Sequence, residues 1–266
     1  MNSFHTTNDL IRYLHAQMAQ CCKGKGEEVD YPTLTPPSAT ITGTGDKLLE
    51  KGSTVNVTIT VVLDRGRINP AYGTSGYRSG AATGYSLNGG TQQAGNQFNV
   101  TVSESNASFT GTAYYAAGEQ PKDSAGNNYN SPLPAGSVAT SQLKYEFINA
   151  FWATTDSITE VSKLPLPSGS AYDAYKAKTY VFEKDIIHGQ TDDDPMKYDV
   201  PKELGNVVLK IWNPITQVWQ VPANPYEFRS EDVTHKDAAG RDVAYTRYID
   251  NRGYAAAGRA VKIEWT

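Results

Sequence analysis

Residues 55–63 read Val-Asn-Val-Thr-Ile-Thr-Val-Val-Leu, an alternation of apolar and polar side chains. In an extended chain a period of two puts Val55, Val57, Ile59, Val61 and Leu63 on one face. β-branched residues fill a pleated, half-buried surface well. This part of the chain therefore predicts a β-sandwich or barrel module. The Gly/Ser/Thr/Tyr-rich segment 71–87 that follows predicts a long surface loop.

A length of 266 residues suffices for two modules of ordinary size. Tyrosine, at 17 residues, outnumbers Phe and Trp combined, at 7 and 4. Because tyrosine packs with its ring and keeps a wet hydroxyl, such a chain can offer contact surface. A net charge of −4 gives no electrostatic footprint for nucleic acid, which needs a clustered basic face. No window has the apolar length of a membrane span, and the N-terminus lacks the pattern of a secretory signal. The expectation is a protein made in the cytoplasm, with no membrane and no nucleic-acid partner. Cys21 and Cys22 are adjacent, cannot staple a small fold, and lack metal-ligand spacing. They read as packing residues at a helix end.

Residues 7–22 predict a helix, with Thr6 or Thr7 as cap, Asp9 in the first turn and Gly24 and Gly26 beyond the end. Ile11, Leu14, Met18 and Cys21 are spaced three, four and three apart, a heptad seam too short to hold a coiled coil alone. Residues 1–25 form an anchor or oligomerisation segment in this reading, with Leu10, Ile11, Leu14, Met18 and Cys21 as its docking face. Residues 26–37 are a Pro-rich linker, stiff enough to hold that helix away from the body.

Beyond the linker the chain reads as all-β: an N-terminal helix and linker, then two tandem immunoglobulin-like sandwiches over residues 38–147 and 148–266. Strand candidates in the first are 38–42, 54–63, 98–103, 108–115 and 138–147. Those in the second are 150–154, 179–183, 206–212, 244–250 and 260–265, with the last two read as a terminal pair.

A series of weak motifs runs through the first module: residues 52–60, Gly-Ser-Thr-Val-Asn-Val-Thr-Ile-Thr; the Gly/Tyr-rich stretch 72–85; residues 109–118, Phe-Thr-Gly-Thr-Ala-Tyr-Tyr-Ala-Ala-Gly; residues 123–129; and residues 134–137. Their order resembles a sandwich module of tailed-bacteriophage fibre and other virion structural proteins. The second half is similar to the domain that follows it in such proteins, through residues 151–155, 178–182, 201–212 and 245–251. The resemblance implies a virion component and a homo-oligomer, with a trimer favoured over a dimer. It also implies contact with the major capsid or another virion protein, and carries over no catalytic residue. A short helix, a linker and two sandwiches fit a head fibre, as in crAss-like and related phages.

Individual residues add little chemistry. His5, His15, His188 and His235 show neither metal-ligand spacing nor a nucleophile elbow, and residues 73–76 are not a phosphate loop. No catalytic residue, metal or cofactor is expected. Asp192, Asp193 and Asp194 could hold Ca²⁺, yet consecutive aspartates point different ways, and a solvated turn before Pro195 is the preferred reading. Residues 237–242 read as a hairpin tip. Among Trp212, Trp219, Tyr226 and Phe228, Trp219 is the better candidate for an exposed ring. The alternative function is a tail-fibre or baseplate adhesin that binds a host-surface glycan through Tyr72, Tyr77, Tyr85 or Trp219.

Overall fold

A computed structural model describes Ile11 and residues 29–69, 76–155, 162–182, 196–213, 215–250 and 260–266. Leu10, Leu14, Met18, Cys21, Tyr72 and Asp192 to Asp194 lie outside the described residues, as do His5, His15 and His188. Ile11 is helical and 45% exposed.

The described chain is all-β, with one short α-helix. In chain order the strands are β1 (Thr33–Thr35), β2 (Ser38–Gly43), β3 (Leu48–Glu50), β4 (Val55–Asp64), β5 (Arg67–Asn69), β6 (Gly76–Tyr77), β7 (Ala82–Leu87), β8 (Gln97–Val102), β9 (Ser108–Tyr115), β10 (Gly136–Lys144) and β11 (Glu146–Ile148). They continue with β12 (Trp152–Thr155), β13 (Ser162–Lys163), β14 (Thr179–Phe182), β15 (Met196–Pro201), β16 (Val207–Asn213), β17 (Val218–Gln220), β18 (Phe228–Lys236), β19 (Asp242–Asp250) and β20 (Val261–Trp265); helix α1 (Gly169–Lys176) precedes β14.

The founding alternation appears directly in β4. Val57, Ile59 and Val61 are 5%, 0% and 0% exposed, whereas Asn56 and Val62 on the other face are open to solvent.

The chain divides into two compact units. One contains Met1–Ile41, Val61–Asn96 and Thr110–Ser141. In it β5 lies between β1 and β6, and β9 between β10 and β7. β9 buries alternate residues, and at Gly111 an added Cβ would lie 2.4 Å from Val61 Cγ2. The space a side chain would need is already filled by valine, so only glycine fits. The same glycine's N–H donates to buried Thr140 Oγ1 at 3.0 Å, which fastens β9 to β10.

The second unit contains Thr42–Thr60, Gln97–Phe109 and Gln142–Thr266. Two antiparallel sheets form its larger core: one of five strands, β13-β12-β15-β19-β18, and one of four, β14-β20-β16-β17. Ala153, Met196, Tyr198 and Val200 from the first meet Tyr180, Phe182, Val261 and Ile263 from the second, around Phe151. Phe151 stacks on Tyr180 with ring centroids 4.1 Å apart, and Phe182 meets Phe151 edge-on at 5.8 Å. Smaller anchors join the earlier strands of this unit. β3 and β11 pair in parallel, and Tyr145, 1% exposed, donates its hydroxyl to the Thr44 carbonyl at 3.1 Å.

Three expectations need correction. The terminal segments do not pair: β19 lies between β15 and β18, whereas β20 lies between β14 and β16 in the other sheet. Segment 71–87 is not all loop, because β6 and β7 form in it; Gly84 and Ser86 are buried in β7. A further helix, α1, occupies Gly169–Lys176 in the second unit.

Candidate functional site

A group of ionisable side chains around buried Asp199 stands on the five-stranded sheet, on the face away from its aromatic core. Directly opposed residues on neighbouring strands share a face. The register Lys163↔Trp152↔Asp199↔Arg247↔Glu231 crosses all five strands in one row. Reading across, the row alternates in charge, with one indole in it.

Asp199 is at the centre and is 0% exposed. Arg247 Nε donates to its Oδ1 and Arg247 Nη2 to its Oδ2, both at 2.7 Å, the forked geometry that a guanidinium offers a carboxylate. His235, four residues along β18 from Glu231, brings Nε2 to 2.6 Å from Asp199 Oδ2. The imidazole stacks on Trp152 at 4.5 Å and meets the edge of Tyr245 at 4.8 Å. Tyr245 in turn donates to the Ala150 carbonyl at 2.9 Å. At the row's end Lys163 pairs with Glu50 at 2.7 Å.

Burial alone would raise the pKa of Asp199, but hydrogen bonds from Arg247 and His235 outweigh it and hold the carboxyl below its ordinary range. The same bond raises Arg247. Burial pushes Tyr245 up to about 12. The carboxylate is therefore a fixed anion with three donors on its two oxygens, which makes it a weak base. The imidazole has one nitrogen committed to it and its ring packed on Trp152. This constellation ties β12, β15, β18 and β19 together.

A pH dependence follows. With its folded pKa depressed, Asp199 stabilises the fold fully above its ordinary value of 3.8, and the contribution is lost as pH falls through the lower folded value. Urea melts of the wild type should shift to lower midpoints as the medium is acidified through that window. Asp199→Asn should lower the midpoint at neutral pH and flatten its response to acid.

The residues singled out in the sequence are dispersed. Tyr77 in β6 is 38% exposed and lies beneath two guanidinium groups, Arg65 at 3.9 Å and Arg67 at 5.1 Å from its ring centroid. Tyr85 is half-buried in β7, in a different sheet. Trp219 in β17, expected as an exposed ring, is half-buried. Trp212, directly opposite on β16, meets it edge-on at 5.4 Å, and Lys262 Nζ stands 5.4 Å from its centroid. Beside that hairpin Ile215, Val218, Val221 and Tyr226 are exposed at 91%, 50%, 59% and 83%. A groove of about 440 Å³ runs between Val207, Leu209, Val221, Phe228 and Tyr248. Among the described residues no three or more His, Cys, Asp or Glu side chains converge as metal ligands.

Sequence reasoning missed Asp199, Arg247, Trp152 and the role of His235. Asp199 between Tyr198 and Val200, and Arg247 between Thr246 and Tyr248, are charges set inside apolar or aromatic strands, a pattern that calls for a buried partner. Compared with known protein families and with curated proteins, the chain matches none.

Proposed function

We propose that the chain is a structural protein of a bacteriophage virion, a short fibre projecting from the capsid. Its N-terminal segment docks on the major capsid or another virion protein, and copies associate as a homo-oligomer, with a trimer favoured. Two immunoglobulin-like sandwiches in tandem make up its shaft. One observation supports this reading: the cluster of Asp199 with Arg247 and His235 spends its charges on holding neighbouring strands of one sheet together. The resemblance of its motif order to virion fibre modules points the same way. Many copies on one particle turn weak contacts into firm attachment, which is the physical reason for building such a chain.

The anchor is tested by removing residues 1–25. The truncated chain is expected to keep the wild-type melting transition and to disappear from assembled particles, scored by immunoblot of purified virions. Truncated protein incorporated at wild-type levels would sink the anchor assignment. Adhesion to a host-surface glycan is the second reading, favoured by the exposed polar face around Tyr77.

A further inference from the structure

We propose that the exposed face of the β1-β5-β6 sheet binds an acidic carbohydrate, a sugar chain bearing carboxylate or sulfate groups. This rests on the adhesin reading and gives it a ligand class.

The face is defined by register. Thr33↔Asn69 and Thr35↔Arg67 pair across β1 and β5, and Arg67↔Tyr77 across β5 and β6. Thr33, Thr35, Arg67, Asn69 and Tyr77 therefore point one way, and all are exposed. Leu34, Ile68 and Gly76 point the other way, with Ile68 buried at 6%.

Arg65, two residues before Arg67, joins the exposed face over the Tyr77 ring. Its Nε donates to the carbonyls of Ser79 and Gly80, both at 3.1 Å. Those bonds fix the guanidinium, and its terminal nitrogens have no partner among the described residues. Arg67 also has no carboxylate partner among them. The turn between these arginines requires Gly66: φ is +66°, and an added Cβ would meet the Thr35 carbonyl oxygen at 2.3 Å.

Two acids lie nearby, and neither is paired with Arg65 or Arg67. Asp64 Oδ1 accepts the Gly66 N–H at 2.9 Å, and Glu119 lies against Gly76 on the opposite face. Two guanidiniums at one ring, with no carboxylate paired to either among the described residues, form a fork for an external carboxylate or sulfate. The threonine hydroxyls and the Asn69 amide supply donors and acceptors for sugar hydroxyls. Arg65 already covers one face of Tyr77, which argues against neutral-sugar stacking there. A net charge of −4 argues against nucleic acid.

The test uses the full chain in calorimetric titrations. The probes are a short oligogalacturonate and its methyl ester, 3′-sialyllactose, sulfated and plain dextran oligomers, and a short oligothymidylate. The expected result is binding of at least one acidic sugar, none of its neutral counterpart, and weakening of about tenfold or more in Arg67→Ala. Arg67→Lys should fall between the two, and Trp219→Ala should bind as wild type. Melting temperature controls for folding. The proposal is overturned if no acidic sugar binds, if the neutral counterpart binds as well, if Arg67→Ala binds normally, or if oligothymidylate binds equally. Binding of a neutral oligomer with no preference for its acidic counterpart would overturn this ligand class and leave the adhesin reading standing, whereas no binding of any sugar would count against both.

Discussion

Arg247→Met is expected to destabilise the second unit by about 3–5 kcal/mol, because it strands a buried carboxylate without its main partner. Asp199 is 0% exposed and accepts two 2.7 Å bonds from that guanidinium. Removing it leaves burial, which opposes the charge, balanced only by His235. Against a total stability of about 5–15 kcal/mol for an ordinary domain, this is a large share of the margin. Urea titration followed by tryptophan fluorescence checks it, since Trp152 stacks on the histidine of the same cluster. The double variant Asp199→Leu with Arg247→Met separates the cause. Apolar replacements of a whole buried pair are often neutral, so the double variant should be more stable than Arg247→Met alone. A double variant as unstable as the sum of its parts would show that packing, not charge, carries the effect.

Phe182→Ala carries the second large effect, a loss of about 3–5 kcal/mol through the cavity left behind. Phe182 is 0% exposed and touches three rings: Phe151 at 5.8 Å, Tyr180 at 5.0 Å and Tyr198 at 4.8 Å. It therefore joins the two sheets as well as filling space. Phe182→Leu, which keeps most of the volume and loses the edge-on ring contacts, should cost less than half as much. Thermal melts that rank the two variants equally would mean that the rings repack around the gap.

How far the sequence speaks depends on where its side chains go. β4 and β9 were legible because each buries one face, so their residues alternate. β18 was not. Arg229, Ser230, Glu231 and Asp232 are all exposed on an edge strand, where no second layer imposes a pattern on the outer residues. The hairpin tip at 237–242 was readable from its turn residues: Asp237 Oδ1 accepts the N–H groups of Ala239 and Arg241, and Gly240 has φ +77°. Pairing of β19 and β20 was misread because nearness in sequence suggested it, whereas the two strands belong to different sheets of the same core. The Asp199 cluster could not be assembled from sequence. Its members are 36 and 48 residues apart, and only strand register brings them into one row.

Strand β20 sits between β14 and β16, and its compact unit also takes in residues 42–60, some two hundred positions earlier. During synthesis the four-stranded sheet cannot close until β20 has left the ribosome. Until then Tyr180, Phe182 and Leu209 lack the strand that covers them. Such distant partners make for slow maturation and a nascent chain with sticky, unfinished surface. Synthesis at lower temperature is accordingly expected to raise the soluble fraction of the full chain.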